Sequence, residues 1–263
     1  MNLLRFVIAG LREMARGSAA YWRWLGLLVL LIGAGAVAYI GQLQRGLVVT
    51  GMSDQVSWGF YIANFAFLVG IAAAAVLLVI PAYLFHRQDV KAVVLLGEGL
   101  AVAAVVCAML FVTVDIGRPE RVWHMFPLIG RFNWPRSLLA WDVVVLSGYL
   151  LLNLGLPLYV HWCHWNGRQP ELKRYFPVVL VAMAWAISIH TVTAFLFSAN
   201  AGRPLWHSAL LGPRFIASAF ASGSALIILA LQMVRRVTDY PVAQSVIDTL
   251  SLVMTVALQI SLF

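Results

Sequence analysis

Residues Trp58–Phe85 read WGFYIANFAFLVGIAAAAVLLVIPAYLF, twenty-eight residues without one charged side chain. A helix of about 20 apolar residues crosses a hydrocarbon core of ~30 Å, so this stretch is expected to span a membrane. Working outward, Trp24–Leu43, Ala92–Val114, Leu138–Val160, Phe176–Ala199 and Arg214–Val234 meet the same criterion. A seventh run opens at Ile247 and is still apolar at Phe263. The composition agrees: 62% hydrophobic, 11% charged and a mean hydropathy of +0.90. A soluble domain carries about 25% charged residues, so too few charges exist here to cover a wet surface. The expected fold is all-α, a polytopic transmembrane helical bundle with at least seven spans. Residues 21–263 are read as a single transmembrane domain, and the apolar ending leads us to expect truncation at the C-terminal side.

The net charge of +8 is spread over connections rather than gathered on a solvated domain, which argues against nucleic-acid binding. With the N-terminus inside, inner segments hold Arg5, Arg12, Arg16, Arg23, Arg87, Lys91, Arg168, Lys173, Arg174, Arg235 and Arg236. Outer segments hold Arg45, Arg118, Arg121, Arg131, Arg136, Arg203 and Arg214. Eleven against seven favours a cytoplasmic N-terminus. Residues 1–20 lack the unbroken apolar core of a signal peptide. At helical spacing Leu3, Leu4, Val7, Ile8, Leu11 and Met14 share one face and the arginines the other. That pattern predicts an amphipathic helix lying on the inner leaflet, in contact with lipid.

Polar groups at membrane depth are costly, ~2.5–3.5 kcal/mol for a central Asp or Lys on insertion scales, so each needs a reason. His190 lies in the middle of its span; it is either a bundle histidine with a structural hydrogen bond or a proton acceptor for a redox ligand. A b-type haem needs a second axial histidine at the same depth, and His86, His124, His161, His164 and His207 all fall in loops or at span ends. Cys107 and Cys163 are too few for an iron–sulfur cluster. The expectation is therefore no haem, no cluster and no metal in this chain. Asp142 enters its span one turn inside, in line with Tyr149 and Asn153, and Asp115 ends the preceding span at the same level. Asp115 could equally pair with Arg118 or cap a turn. Trp58 and Tyr61 share a face with Asn64 beside them; an aromatic belt accounts for the tryptophan but not for Asn64. On the inner half, Glu98 and the stripe Asp248, Ser251, Thr255, Gln259 line a proton route or join helices. Finally, Gly117-Arg118-Pro119 followed by Trp123-His124 is echoed by Gly202-Arg203-Pro204 followed by Trp206-His207. Shared turn chemistry explains this echo as well as duplication does.

Several stretches together resemble a known family: Ser53–Asn64 (SDQVSWGFYIAN), Val114–Arg121 (VDIGRPER), Trp141-Asp142, Ile187–Phe195 (ISIHTVTAF) and Gly202–Gly223 (GRPLWHSALLGPRFIASAFASG). The chain resembles the NrfD/polysulfide-reductase (PsrC-like) membrane subunits, most closely the DsrP type of the DsrMKJOP sulfur-metabolism complex. The resemblance covers residues 45 to about 236. It implies eight to ten helices in the bacterial cytoplasmic (inner) membrane, multi-pass, and a subunit that is not an autonomous enzyme. It also implies partners: a periplasmic ferredoxin-like iron–sulfur subunit, with cytochrome and other subunits of a membrane redox complex. The substrate would be a quinone, menaquinone or ubiquinone, exchanging electrons with that iron–sulfur subunit in dissimilatory sulfur metabolism.

The residues read alone agree. A quinone is lipid soluble, carries two electrons and two protons, and wants proton-active groups beside an aromatic, apolar wall. His190, Asp142 and Asp115 are the expected catalytic groups; Trp58, Tyr61, Asn64 and His190 are the expected contacts to the ring. Two other readings stay open. A proton-coupled secondary transporter also buries His, Asp and Glu, and a passive membrane anchor would dock an electron carrier without touching quinone.

Overall fold

A computed structural model describes residues 3–53, 55–56, 58–126, 129–200 and 202–262. Asp54 and Ser57 of the polar run before Trp58, and the terminal Phe263, lie outside the described residues. The described chain is helical throughout: α1 (Leu3–Met14), α2 (Ala19–Arg45), α3 (Phe60–Ala74), α4 (Val76–Tyr83), the short α5 (Gln88–Lys91), α6 (Val94–Asp115), α7 (Leu138–Trp165), α8 (Leu172–Ser198), α9 (Leu211–Val237) and α10 (Gln244–Leu262). Seven helices are long and apolar enough to cross a membrane, α3 and α4 counting as one. We call outer the end that carries the α2–α3, α6–α7 and α8–α9 connections, following the charge count.

Most spans run a few residues beyond their apolar stretches, because caps rather than hydropathy set their ends. The Ser18 hydroxyl accepts from the Tyr21 amide at the start of α2, and Ser137 from the Ala140 amide at the start of α7. At the inner end of α7 the chain reverses through Gly167, at φ 68°. The Gly167 amide reaches the His164 carbonyl and the Arg168 amide the Cys163 carbonyl, both at 2.9 Å, closing the helix end on its own acceptors.

The expected span Trp58–Phe85 is broken at Ala75, and Pro81 weakens the helix again further on, inside α4. Pro81 has no amide to give and its ring crowds the preceding turn. From α7, the Tyr149 hydroxyl donates to the Ala72 carbonyl at 3.0 Å, while the Ala75 amide tightens onto the same carbonyl at 3.3 Å. α3 is the centre of the bundle, packed on α6, α8 and α9. Its approach to α9 requires glycine: a Cβ on Gly223 would stand 2.1 Å from the Ala74 methyl. Around this seam lies the outer-half core of Phe65, Val69, Val105, Leu146 and Ile189, and a second core of Leu78, Val179, Leu231 and Leu250 fills the inner half.

Two elements stand apart. α1 is exposed along its length, the apolar face included, and touches the bundle through Phe6, edge-on to Trp162 and Trp165 at 5.2 and 6.0 Å. α2 buries only Gln42, whose amide donates to the Val114 carbonyl (3.0 Å) and whose oxygen accepts from the Tyr61 hydroxyl (2.6 Å).

Candidate functional site

Among the described residues Asp142 is the most enclosed acidic side chain, 1% exposed, one turn inside the outer end of α7. Its carboxyl lies 2.9 Å from the Thr193 hydroxyl on α8, which also lies 2.8 Å from the Ile189 carbonyl. A hydroxyl has one proton, so it serves one acceptor at a time. When Asp142 is protonated it donates to Thr193, Thr193 donates to Ile189, and all three groups are satisfied. When Asp142 is ionised, Thr193 turns to it. The pair can therefore hold or release a proton through one hydroxyl rotation.

Asp142 is also part of the wall of a cavity of about 280 Å³ between α6 and α7, roofed by the outer connection. Met109, Val112 and Ile116 of α6, Met125, Phe126 and Phe132 of the roof, and Leu139, Val143 and Leu146 of α7 make it apolar. Thr113, Ser147 and Asp142 are the polar residues of its lining, the Asp142 carboxyl itself being held by Thr193. An apolar chamber with few convergent polar groups is the usual form of a small-molecule site.

His190 is 3% exposed and occupies a different place. Its Nε2 lies 2.8 Å from the Phe215 carbonyl of α9. A carbonyl only accepts, so Nε2 carries the proton and the neutral ring has its lone pair on Nδ1, which is buried without a partner. The expected donation from His190 to a ligand carbonyl is thus already committed to the backbone. The ring adjoins a cavity of about 240 Å³ between α3 and α9, lined by Phe67, Gly70, Ser218 and Ser222. A Cβ on Gly70 would sit 3.4 Å from the imidazole, so glycine keeps this space open. Asp142 and His190 are joined through α8, where Thr193 follows His190 by three residues, not by a shared cavity.

The other expected residues disperse. Trp58 stacks on Trp206 (5.8 Å) and meets Phe197 (5.1 Å), which contacts Phe215 (5.4 Å), which adjoins His190 (5.8 Å). That aromatic run leads from the outer surface to the histidine. Arg203 closes it from outside, lying over Trp206 and donating to the Gln55 carbonyl at 2.7 Å. Tyr61 is tied to Gln42, and the Asn64 amide turns back to the Phe60 carbonyl at 2.8 Å. Neither Trp58, Tyr61, Asn64 nor His190 lines the Asp142 cavity. Asp115 is half-buried at the end of α6, with one carboxyl oxygen enclosed and unpartnered. On the inner half, Glu98 is 3% exposed, near the outward end of the inner core. Asp248, Thr255 and Gln259 of the expected stripe are exposed. In the sequence Thr193 stands out only as a neighbour of His190. Its i+3 spacing from the histidine is the signal that it shares the buried face.

Fold and site define an integral membrane protein of the helical-bundle class, with an apolar chamber at membrane depth lined in part by one buried aspartate. The chain belongs to the polysulphide reductase, NrfD family, whose model matches residues 48–263. It is 30% identical over 258 residues to a putative dimethyl sulfoxide reductase membrane subunit from Halobacterium salinarum, covering 90% of this chain and 55% of that protein. Against the Hdr-like menaquinol oxidoreductase integral membrane subunit of Archaeoglobus fulgidus the identity is 26% over 242 residues, covering 92% and 58%. Against a selenate reductase subunit of Mesobacillus selenatarsenatis it is 22% over 226 residues, covering 74% and 52%. The chain spans about half the length of these curated relatives.

Proposed function

We propose that this chain is a quinone-reactive membrane subunit of a multisubunit respiratory oxidoreductase, and that the quinone ring occupies the Asp142 cavity. The observation that carries the reading is the cavity itself: apolar walls, membrane depth, and in its lining Asp142, whose carboxyl is hydrogen-bonded to the Thr193 hydroxyl. The names of the Archaeoglobus relative and of a 26% identical menaquinone reductase integral membrane subunit from Nitratidesulfovibrio vulgaris support a quinone as substrate.

A quinol that yields two electrons also sheds two protons, and a quinone that is reduced takes up two. Asp142 exchanges them one at a time at the ring, and Asp115, at the outer end of α6, passes each to or from outer water. His190 is the next proton-active group inward along α8. Trp58 and Tyr61 seal the outer end of α3, and Asn64 belongs to that same helix end. Electrons pass to or from an iron–sulfur subunit docked on the outer connections, with cytochrome subunits beyond it. We assign the assembly to dissimilatory sulfur metabolism at a bacterial inner membrane on the resemblance of its motifs to the DsrP type.

A photoreactive quinone analogue applied to the intact complex tests this. Adducts on residues 109–116 or 139–147 support the reading. Adducts confined elsewhere, or none while the complex turns over, overturn it.

A further inference from the structure

The two outer connections share an Arg-Pro turn, although the preceding glycine is left-handed at Gly117 (φ 75°) and not at Gly202. Arg118 and Arg203 have the same backbone, φ −129° and ψ 75° against φ −132° and ψ 76°, and each following proline opens a 3-10 helix, Pro119–Met125 and Pro204–Trp206. A cavity lies beneath each turn. The first is the Asp142 cavity between α6 and α7. The second, about 400 Å³, lies between α8 and α9. The registers correspond: Met109 and Thr113 stand eight and four residues before Gly117, and Ala194 and Ser198 stand eight and four before Gly202.

The chemistry differs. In place of a carboxyl the second cavity holds His207, whose Nδ1 lies 2.8 Å from the Ser198 carbonyl. The carbonyl only accepts, so Nδ1 carries a proton, and in the neutral form of this exposed ring Nε2 is an acceptor. Thr191 and Ser198 give their hydroxyl protons to the Ile187 and Phe195 carbonyls, leaving their oxygens as further acceptors. Phe195, Leu211 and Ile216 supply apolar wall, and Phe195 and Ser208 are exposed, so the cavity opens sideways at the bundle surface. Such a lining selects an apolar ring that brings hydroxyl protons.

We propose that this cavity is a second site, for the hydroquinone form, open to the bilayer and distinct from the Asp142 cavity. It rests on the reading that the chain handles quinone.

The test uses the intact complex in lipid nanodiscs with a photoreactive naphthoquinone analogue, held either reduced or oxidised, and peptide mapping of the adducts. The reduced probe is expected to label 191–216 about tenfold more than the oxidised probe, the loss of one good hydrogen bond. His207→Phe should remove that preference. Gly212→Leu, whose added side chain starts in open space, should block labelling by filling the cavity. Labelling of 139–147 should persist in both variants. Adducts only on 109–147 overturn the second site and leave the proposed function standing. Equal labelling by both probe forms, indifference to both substitutions, or displacement by phosphatidylglycerol overturns it as well. Adducts at neither segment overturn the quinone reading itself.

Discussion

Thr193 on α8 holds Asp142 on α7 through a single hydroxyl that an α8 carbonyl also claims, at 2.9 and 2.8 Å. The arrangement ties a buried carboxyl to a two-position switch. Asp142→Asn keeps the shape and the hydrogen bond but cannot release a proton. It should slow quinone-linked turnover by about 10²-fold or more, the usual size of a general acid–base contribution, while quinone-analogue binding stays near wild type. Thr193→Val should cost roughly 1–3 kcal/mol of stability by leaving the carboxyl without its partner. In the double variant the stability loss should match that of Thr193→Val alone, because Asn keeps the hydrogen bond that Val removes, while turnover stays at the Asp142→Asn level. Stopped-flow turnover and thermal unfolding of the purified complex measure both.

The outer arginines should separate into two classes. Arg203 is engaged with Trp206 and the Gln55 carbonyl, so Arg203→Glu should disturb the aromatic run down to Phe215 and lower the yield of folded complex. Arg121 and Arg131 lie on the exposed surface of the α6–α7 connection, where a docked partner would meet them. Reversing both to Glu should weaken co-purification of an iron–sulfur subunit in a salt-dependent way without altering the membrane chain's own unfolding. Unchanged co-purification at every salt concentration would move the docking face elsewhere.

The membrane fold is legible in the chain because apolar length is a one-dimensional property. Each of the seven apolar runs contains a helix, and in the echo of Gly-Arg-Pro the two arginines share backbone angles while the glycines differ. What hydropathy does not contain is pairing. The break at Ala75 depends on Tyr149 arriving from another helix, although Pro81 hints at it. Shared depth suggests one pocket for Asp142 and His190; α8 lies between their cavities, and depth says nothing of which side of a helix faces which neighbour. Tyr61 and Asn64 likewise look free in sequence and are occupied in the fold.

Orientation is open to direct measurement. A cysteine at Gln169, in the turn between α7 and α8, should react with a membrane-impermeant maleimide from the cytoplasmic side, in a background lacking Cys107 and Cys163. One at Arg131 should react from the periplasmic side. The basis is the eleven-to-seven distribution of basic residues, supported by the inner location of Lys91 and Lys173. The reverse pattern would invert every inner and outer assignment made above.

At the inner face, Arg87 donates to both carboxyl oxygens of Asp89 and to the Thr249 hydroxyl, and Ser245 donates to Asp89, joining α5 to α10. The hydrogen bonds from Arg87 and Ser245 hold the Asp89 carboxyl well below the ordinary carboxylate range. A depressed folded value means that the stabilisation is present above the unfolded value of about 4 and is lost as the pH falls below it. Thermal stability should therefore be flat from neutral pH to about pH 5 with respect to this group, then decline. Asp89→Asn should lower the melting temperature at pH 7 and flatten that acid limb. An unchanged limb would assign the acid sensitivity to another group.

His190 can be tested by substitutions that separate its two nitrogens. Nε2–H supports α9 through the Phe215 carbonyl, and Nδ1 is the group free to take a proton. Gln at this position can still offer an N–H toward that carbonyl but does not titrate. Leu can do neither. If His190 moves protons, His190→Gln should leave assembly and melting temperature close to wild type while turnover falls at least about tenfold, and the loss should appear in kcat rather than KM. His190→Leu should lose turnover and also destabilise the bundle by roughly 1–3 kcal/mol, the cost of an orphaned carbonyl and a misfitted wall at Gly70. Normal turnover in His190→Gln would reduce the histidine to a tie between α8 and α9 and confine proton exchange to Asp142 and Asp115. Turnover and unfolding must be read on the same preparation, since only their divergence separates a proton carrier from a structural link.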